Sequence, residues 1–299
     1  MSKGVSAGQK PLWLWQKECG RMEEKLSRRE KRKQFRMKRN RICLAMLAMV
    51  SLAVFIYSAY SLWDYYADHR REEGLKKELA SLRNVGEEDV AVKAGADVEG
   101  TKVSESLQTK RTAEDIAAFY EEMKHKNEDY VCWITVDGSS IDYPVVKKDN
   151  SFYLNHDFYG EISRHGSIFM DETCGPEDEV LLVHGHHMKD GTMFGDLKRY
   201  KDDEFRKKHR TILLEFADGI SVYRVFALAK IDLTDENSFR FEVLPKTAEE
   251  KVLYIEGLDD AAFWYDETQA DAESGVLVLS TCDYGTDEER LIVAAKKIE

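Results

Sequence analysis

Twenty-one consecutive residues without a charge, Ile42 to Leu62 (ICLAMLAMVSLAVFIYSAYSL), constrain this chain more than any other feature. About 20 such residues in a helix span the hydrocarbon core of a bilayer, whereas the apolar part of a cleaved secretory signal runs to roughly 7–15. The length favours a retained anchor over a cleaved signal, and over a buried core helix, which seldom runs so far without a charged residue. Trp63, Tyr65 and Tyr66 follow at once, where interfacial aromatics belong. On the other side lies KRKQFRMKRNR, Lys31 to Arg41. Residues 1–41 carry fourteen Lys and Arg against four Asp and Glu; the whole chain is at −12, which leaves −22 for residues 42–299. A basic head set directly against an apolar run is explained by membrane topology, not by nucleic acid. Positive-inside logic puts the N-terminus in the cytoplasm and everything beyond Trp63 outside the cell. The acidic remainder reads as a solvated surface.

Only Cys132, Cys174 and Cys282 of the five cysteines would then lie outside. A sparse, odd set is no disulfide framework. Cys132 and Cys174 read as buried thiols, with a pairing between them left open, and one thiol remains for chemistry. The expected organisation is a basic cytoplasmic tail (1–41), a membrane helix (42–63), a charged extracellular stalk or linker (64–112) whose first part, to Leu82, continues as a helix, and a catalytic domain (113–299). Ala113 to Lys124 places Ile116, Phe119, Tyr120 and Met123 on one helical face, with Thr112 as N-cap. From Tyr130 the pattern changes to short apolar runs broken by turn residues. The expected strands are 131–136, 141–146, 166–170, 179–184, 211–216, 222–230, 275–282 and 290–297, the first two joined by a hairpin at DGSS. Short helices are expected at 193–200, 247–254 and 259–265. So many strands with few helices between them suggest a closed or nearly closed β-barrel.

Two segments carry chemistry. In VLVLSTCDYGTDEERLIVAAK (Val276–Lys296) a strand ends at Ser280-Thr281-Cys282, and a polar loop leads to Arg290. A thiol at a strand end near a guanidinium is favoured as thiolate. In LLVHGHHMKDGTMFGDL (Leu181–Leu197) a strand opens onto His184, His186 and His187, the first two on one face of an extended chain and the third on the other. Zinc would need three or four convergent ligands, Asp190 being an available fourth, but H-x-H-H has no recognised ligand spacing. Each segment alone has a plain structural reading. Together they provide a nucleophile, an acid/base group and a fixed cation for a developing oxyanion. That combination describes an extracellular thiol acyl-transfer enzyme and leaves its substrate open.

At these residues the chain resembles the sortase family, and class B within it. LSTC (279–282) with Arg290 is similar to the signature T-L-x-T-C and its downstream Arg, and GHHMKDGTMFGDL (185–197) to the class B histidine segment. Trp133-Ile134, IDYPVV (141–146) and NSFYLNHDFYGEISRHGSIFMD (150–171) extend the likeness from Ala113 to Ile298. The resemblance implies a mainly β fold, a closed sortase barrel of about eight strands, with an N-terminal helix and a helix between strands six and seven. It implies Cys282 as nucleophile, His186 as acid/base and Arg290 as oxyanion partner. Ser280, Thr281, Asn150, Leu154 and His187 would line the substrate groove. Val278 departs from the signature's opening Thr. His184 and His187 stand where class B members often have Tyr and Asn, His184 as a substitute for aromatic packing and His187 still able to donate a hydrogen bond.

The activity implied is transpeptidation. A C-terminal sorting motif of a secreted protein is cleaved through a Cys thioacyl intermediate and passed to an amine of a peptidoglycan precursor or a pilin, with no metal or organic cofactor. The partners are thus those secreted proteins, that amine and the cell membrane. Two other readings remain: a cysteine endopeptidase that resolves the same intermediate with water, and a non-catalytic peptide-binding module. Loss of product in Cys282→Ala separates the last from the other two, and an added amine separates transfer from hydrolysis.

Overall fold

Short apolar segments, buried along nearly their whole length, build the strands of this protein, in a computed structural model that describes residues 12–83, 111–267, 272–282 and 288–298. The chain divides between Tyr66 and Ala67 into two units. The first holds most of helix α1 (Leu12–Arg83). Every residue from Ile42 to Leu62 is exposed there, Phe55 and Leu47 among them. A continuous apolar surface of this length belongs to an interaction site or a membrane, not to a packed core. By length and composition α1 is a candidate membrane span.

The second unit is built on nine strands: β1 (Tyr130–Val136), β2 (Asp142–Val146), β3 (Ile168–Met170), β4 (Val180–His184), β5 (Thr211–Phe216), β6 (Gly219–Asp232), β7 (Ala262–Tyr265), β8 (Val276–Cys282) and β9 (Glu289–Lys297). They run in the order β5-β1-β2-β3-β4-β8-β9-β6-β7, and β5 also pairs with β6. That second pairing closes eight strands into a barrel and leaves β7 as a flap on β6. Two neighbours are parallel, β2 with β3 and β4 with β8; the others are antiparallel. Inside lie Ile134, Val145, Leu182, Leu214, Val225, Leu228, Leu279 and Val293, all fully buried. The eight expected strands match the barrel strands. The helix expected at 259–265 is corrected: α4 (Ala248–Ala261) ends at Ala261, and Ala262–Tyr265 pairs with β6 through Ala227 and Leu228. The aromatic Phe-Trp-Tyr run favours a strand as soon as the helix stops. A 3-10 helix, Gly195–Lys201, stands where 193–200 was expected, and helix α3 (Asp203–Lys208) follows it. Cys132 and Cys174 are buried free thiols, so the pairing left open does not form.

Helix α2 (Ala113–Lys126) opens with a capping box. The Thr112 hydroxyl accepts from Asp115 N at 3.2 Å and the Asp115 carboxylate accepts from Thr112 N at 2.8 Å, which satisfies two otherwise orphan donors. Its Phe119 and Met123 pack on Trp133 and Tyr130 of β1 in a second cluster outside the barrel. Leu79 of α1, 1 % exposed, completes that cluster, with Leu75 and Leu82 beside it. The helix expected to run on to Leu82 ends at Arg83, and residues 67–83 belong to the folded unit. Arg83 donates to Asp142 Oδ1 (2.8 Å) and lies with Arg111 on the buried carboxylate of Glu215. Residues 84–110, the rest of the expected linker, lie outside the described residues.

Candidate active site

Parallel pairing of β4 with β8 brings two distant segments to one end of the barrel. His184 stands opposite Ser280, and Gly185 N donates to Ser280 O at 3.2 Å. His186 is two residues beyond His184, and Cys282 two beyond Ser280, so both chains advance past the same rung. Across the antiparallel β8–β9 pair, Cys282 is directly opposite Arg290. The two registers place the three positions at neighbouring strand ends.

An open groove lies here. His186, Arg290, Ser280, Thr281, Asn150 and Leu154 all line it. His187 forms a backbone bridge with Met193 across the following turn. Two residues out from the rung, the His186 imidazole lies against the loop between β2 and β3. Its Nε2 donates to the carbonyl of Leu154 at 2.6 Å, which fixes the ring. The hydrophobic Leu233 and Phe241, from the connection between β6 and α4, form the facing wall together with Glu242.

Asp171, just past β3 and 3 % exposed, is the residue that sequence reasoning missed. It accepts from His184 Nε2 (3.0 Å), from Asn150 Nδ2 (2.8 Å) and from Thr173 N (2.8 Å). Burial pushes its carboxyl up, but the hydrogen bonds from His184 and Thr173 outweigh that and hold it well below the usual carboxylate range. Asn150 is braced at both ends, because its Oδ1 accepts from Glu172 N at 2.8 Å. His184 also packs on Phe169, ring centroids 5.2 Å apart, in keeping with the aromatic role expected of it. A lone Asp after an apolar strand has no signature in a chain with 56 acidic residues. Only FMD, at the end of the segment that resembles class B members, hinted at it.

The described residues carry a matching pattern at the level of whole proteins. The sortase domain family model matches residues 134–298. A sortase B of Listeria monocytogenes is 31 % identical over 182 residues, 59 % of this chain and 73 % of the relative. The crystal structure of Clostridium perfringens sortase B superposes with a TM-score of 0.56 at 30 % identity, covering 60 % of this chain and 99 % of that one. A sortase B–substrate complex from Staphylococcus aureus superposes with a TM-score of 0.61 at 25 % identity over 78 % of this chain and 99 % of that one. With its barrel, its groove and these likenesses together, this chain belongs to the sortase family and is a class B sortase-like cysteine transpeptidase.

Proposed function

We propose that this chain is a membrane-anchored transpeptidase that joins secreted proteins bearing a C-terminal sorting motif to an amine of a peptidoglycan precursor or a pilin. The observation that carries the reading is the β4–β8 register, which sets the strand ends of His186 and Cys282 side by side with Arg290 across from Cys282. In the first half-reaction the Cys282 thiolate attacks the carbonyl carbon before the scissile bond, and the Arg290 guanidinium stabilises the oxyanion of the tetrahedral intermediate. The protonated His186 gives its proton to the departing amine, leaving a thioester on Cys282. In the second, neutral His186 takes a proton from the incoming amine as its nitrogen attacks the thioester, and the new amide leaves as the thiolate returns. Ser280, Thr281, Asn150 and Leu154 line the groove that receives the motif, with Asn150 held by Asp171.

The apolar run of α1 supplies the anchor, with the basic residues 1–41 in the cytoplasm and the barrel outside, where secreted substrates emerge. Tethering both partners to one surface raises their effective concentration. The test is mass spectrometry on the full-length chain in detergent with a panel of sorting-motif peptides. The expected result is a peptide acyl adduct on Cys282 that is absent in Cys282→Ala and is released as an amide when an amine is supplied. A folded, reduced chain that forms no adduct with any motif peptide overturns the proposal, and release only as free acid overturns its transfer half.

A further inference from the structure

A cluster of ionisable groups on the folded unit, outside the groove, is arranged for something other than pairing with itself. His165, in the loop before β3, is 1 % exposed. Its Nδ1 lies 3.3 Å from Asp68 Oδ2 and is hydrogen-bonded there. Its Nε2 is buried with no hydrogen-bond partner among the described residues. His69 of α1 repeats the arrangement: Nδ1 is buried without a hydrogen bond among the described residues, while Nε2 faces Glu73 Oε1 at 3.8 Å. Both vacant nitrogens turn to one carboxylate oxygen. Asp190 Oδ2 is 3.3 Å from His69 Nδ1 and 4.0 Å from His165 Nε2. The other oxygen, Oδ1, is already engaged by Thr192 N (2.9 Å) and Thr192 Oγ1 (2.6 Å).

The three donor atoms lie within 4.8 Å of one another. Around a tetrahedral ion with bonds of about 2.0–2.1 Å, ligand atoms stand roughly 3.3 Å apart. One edge therefore already has its final length, and the others close by about 1 Å or so if His69 and Asp190, both partly exposed, turn slightly. Buried polar atoms in native proteins are almost always satisfied, and two vacant imidazole nitrogens converging on one oxygen call for a shared partner. A ligating histidine usually donates its second ring N–H to a carboxylate, as His165 does to Asp68. Two imidazole nitrogens with one carboxylate suit zinc and its first-row neighbours, whereas calcium and magnesium take oxygen ligands.

We propose that His69, His165 and Asp190 form a binding site for one divalent transition-metal ion, zinc by ligand set, with Asp68 as the outer carboxylate that fixes the His165 tautomer. The site joins the part of α1 just beyond Ala67, the loop before β3 and the turn that follows His186. Asp190 lies in that turn, whose Phe194 N donates back to His186 O at 3.0 Å. The ion acts as a clamp between α1 and the turn next to the groove and takes no part in acyl transfer.

The experiment uses full-length chain carrying Cys282→Ala, which removes a competing thiolate, freed of metal by chelation and titrated with zinc by calorimetry and with cobalt(II) by visible absorption. One ion per chain is expected, with the absorption of a tetrahedral cobalt centre and a zinc-dependent rise in melting temperature. His69→Ala and Asp190→Asn, both at partly exposed positions, should each abolish the absorption and the rise, and Asp68→Asn should weaken binding roughly 10- to 100-fold. No saturable binding to the folded chain up to about 1 mM zinc overturns the proposal. So does binding that survives both His69→Ala and Asp190→Asn but is lost in His184→Ala, which would put the ion in the groove.

Discussion

Leu79→Ala tests whether the end of α1 is part of the catalytic fold or a spacer leading to it. Leu79 is 1 % exposed and packs in the cluster of Phe119, Met123, Tyr130, Trp133, Tyr153 and Phe158. Truncation to Ala removes three carbons, worth about 2.4 kcal/mol at ~0.8 kcal/mol per buried methylene. The rigid aromatic neighbours collapse poorly onto the gap, which adds a cavity cost and places the total at about 3 kcal/mol within the usual 2–5. For a unit of this size about 1 kcal/mol moves the melting temperature by roughly 2–4 °C, so a drop of roughly 6–12 °C is expected. Calorimetry on the full-length chain in detergent reads it, with Lys77→Ala, exposed on the same helix, as a control that should leave the transition in place. In a free helical spacer Leu→Ala is neutral or slightly favourable. A melting temperature unchanged in Leu79→Ala would refute the packing argument and return residues 67–83 to the role of a stalk.

Arg290→Ala should slow acylation about 10²- to 10³-fold, the usual cost of one oxyanion partner, as measured by single-turnover adduct formation. Asp171→Asn removes the charge that holds His184 and Asn150, and kcat/KM for a motif peptide should fall roughly 10- to 100-fold while Cys282 still acylates. Glu72 gives a pH prediction. Burial, reinforced by Asp157 and Asp68, pushes its carboxyl up to about 7, and it is 5 % exposed. The folded chain therefore keeps a proton that the unfolded chain has released, so its contribution is full below about pH 4.5, declines as pH rises and is gone above about 7, a loss of about 3 kcal/mol. Glu72→Gln should gain about that much stability over wild type between pH 4.5 and pH 8 in denaturant titrations; a constant difference across that range would sink the assignment.

The eight barrel strands were readable because each alternates or runs apolar between turn residues, and α2 because its apolar face and cap are local. Strand β7 was not, since Phe263, Trp264 and Tyr265 abut a helix and their pairing with β6 is settled by tertiary contact. The packing of α1 was hidden by composition. Leu75, Leu79 and Leu82 form a stripe at helical spacing, but they sit among so many charges that the segment read as solvated. At the groove, the sequence motifs singled out Cys282, His186 and Arg290 as the proposed catalytic set, and the registers bring their positions to neighbouring strand ends. Asp171 was not legible, and neither, outside the groove, was the group of His69, His165 and Asp190, because their only relation is spatial and acidic side chains are abundant in this chain.

The strand order has a consequence for how the protein comes into being. Without its last two strands the sheet is open, with β4 and β6 as raw edges, and the β8–β9 hairpin fills the gap between them. His184 and Ser280 are nearly a hundred positions apart, so this closure is a late, long-range event that bears a large loop entropy. A chain emerging N-terminus first carries its unpaired edges until β8 and β9 have emerged, exposed to edge-to-edge association. The hairpin that removes those edges is the one that delivers Cys282 and Arg290. On the proposed role of Cys282, reactivity and completion arrive together: an unfinished molecule has no assembled nucleophile to misdirect, and turnover counts only chains whose barrel has shut.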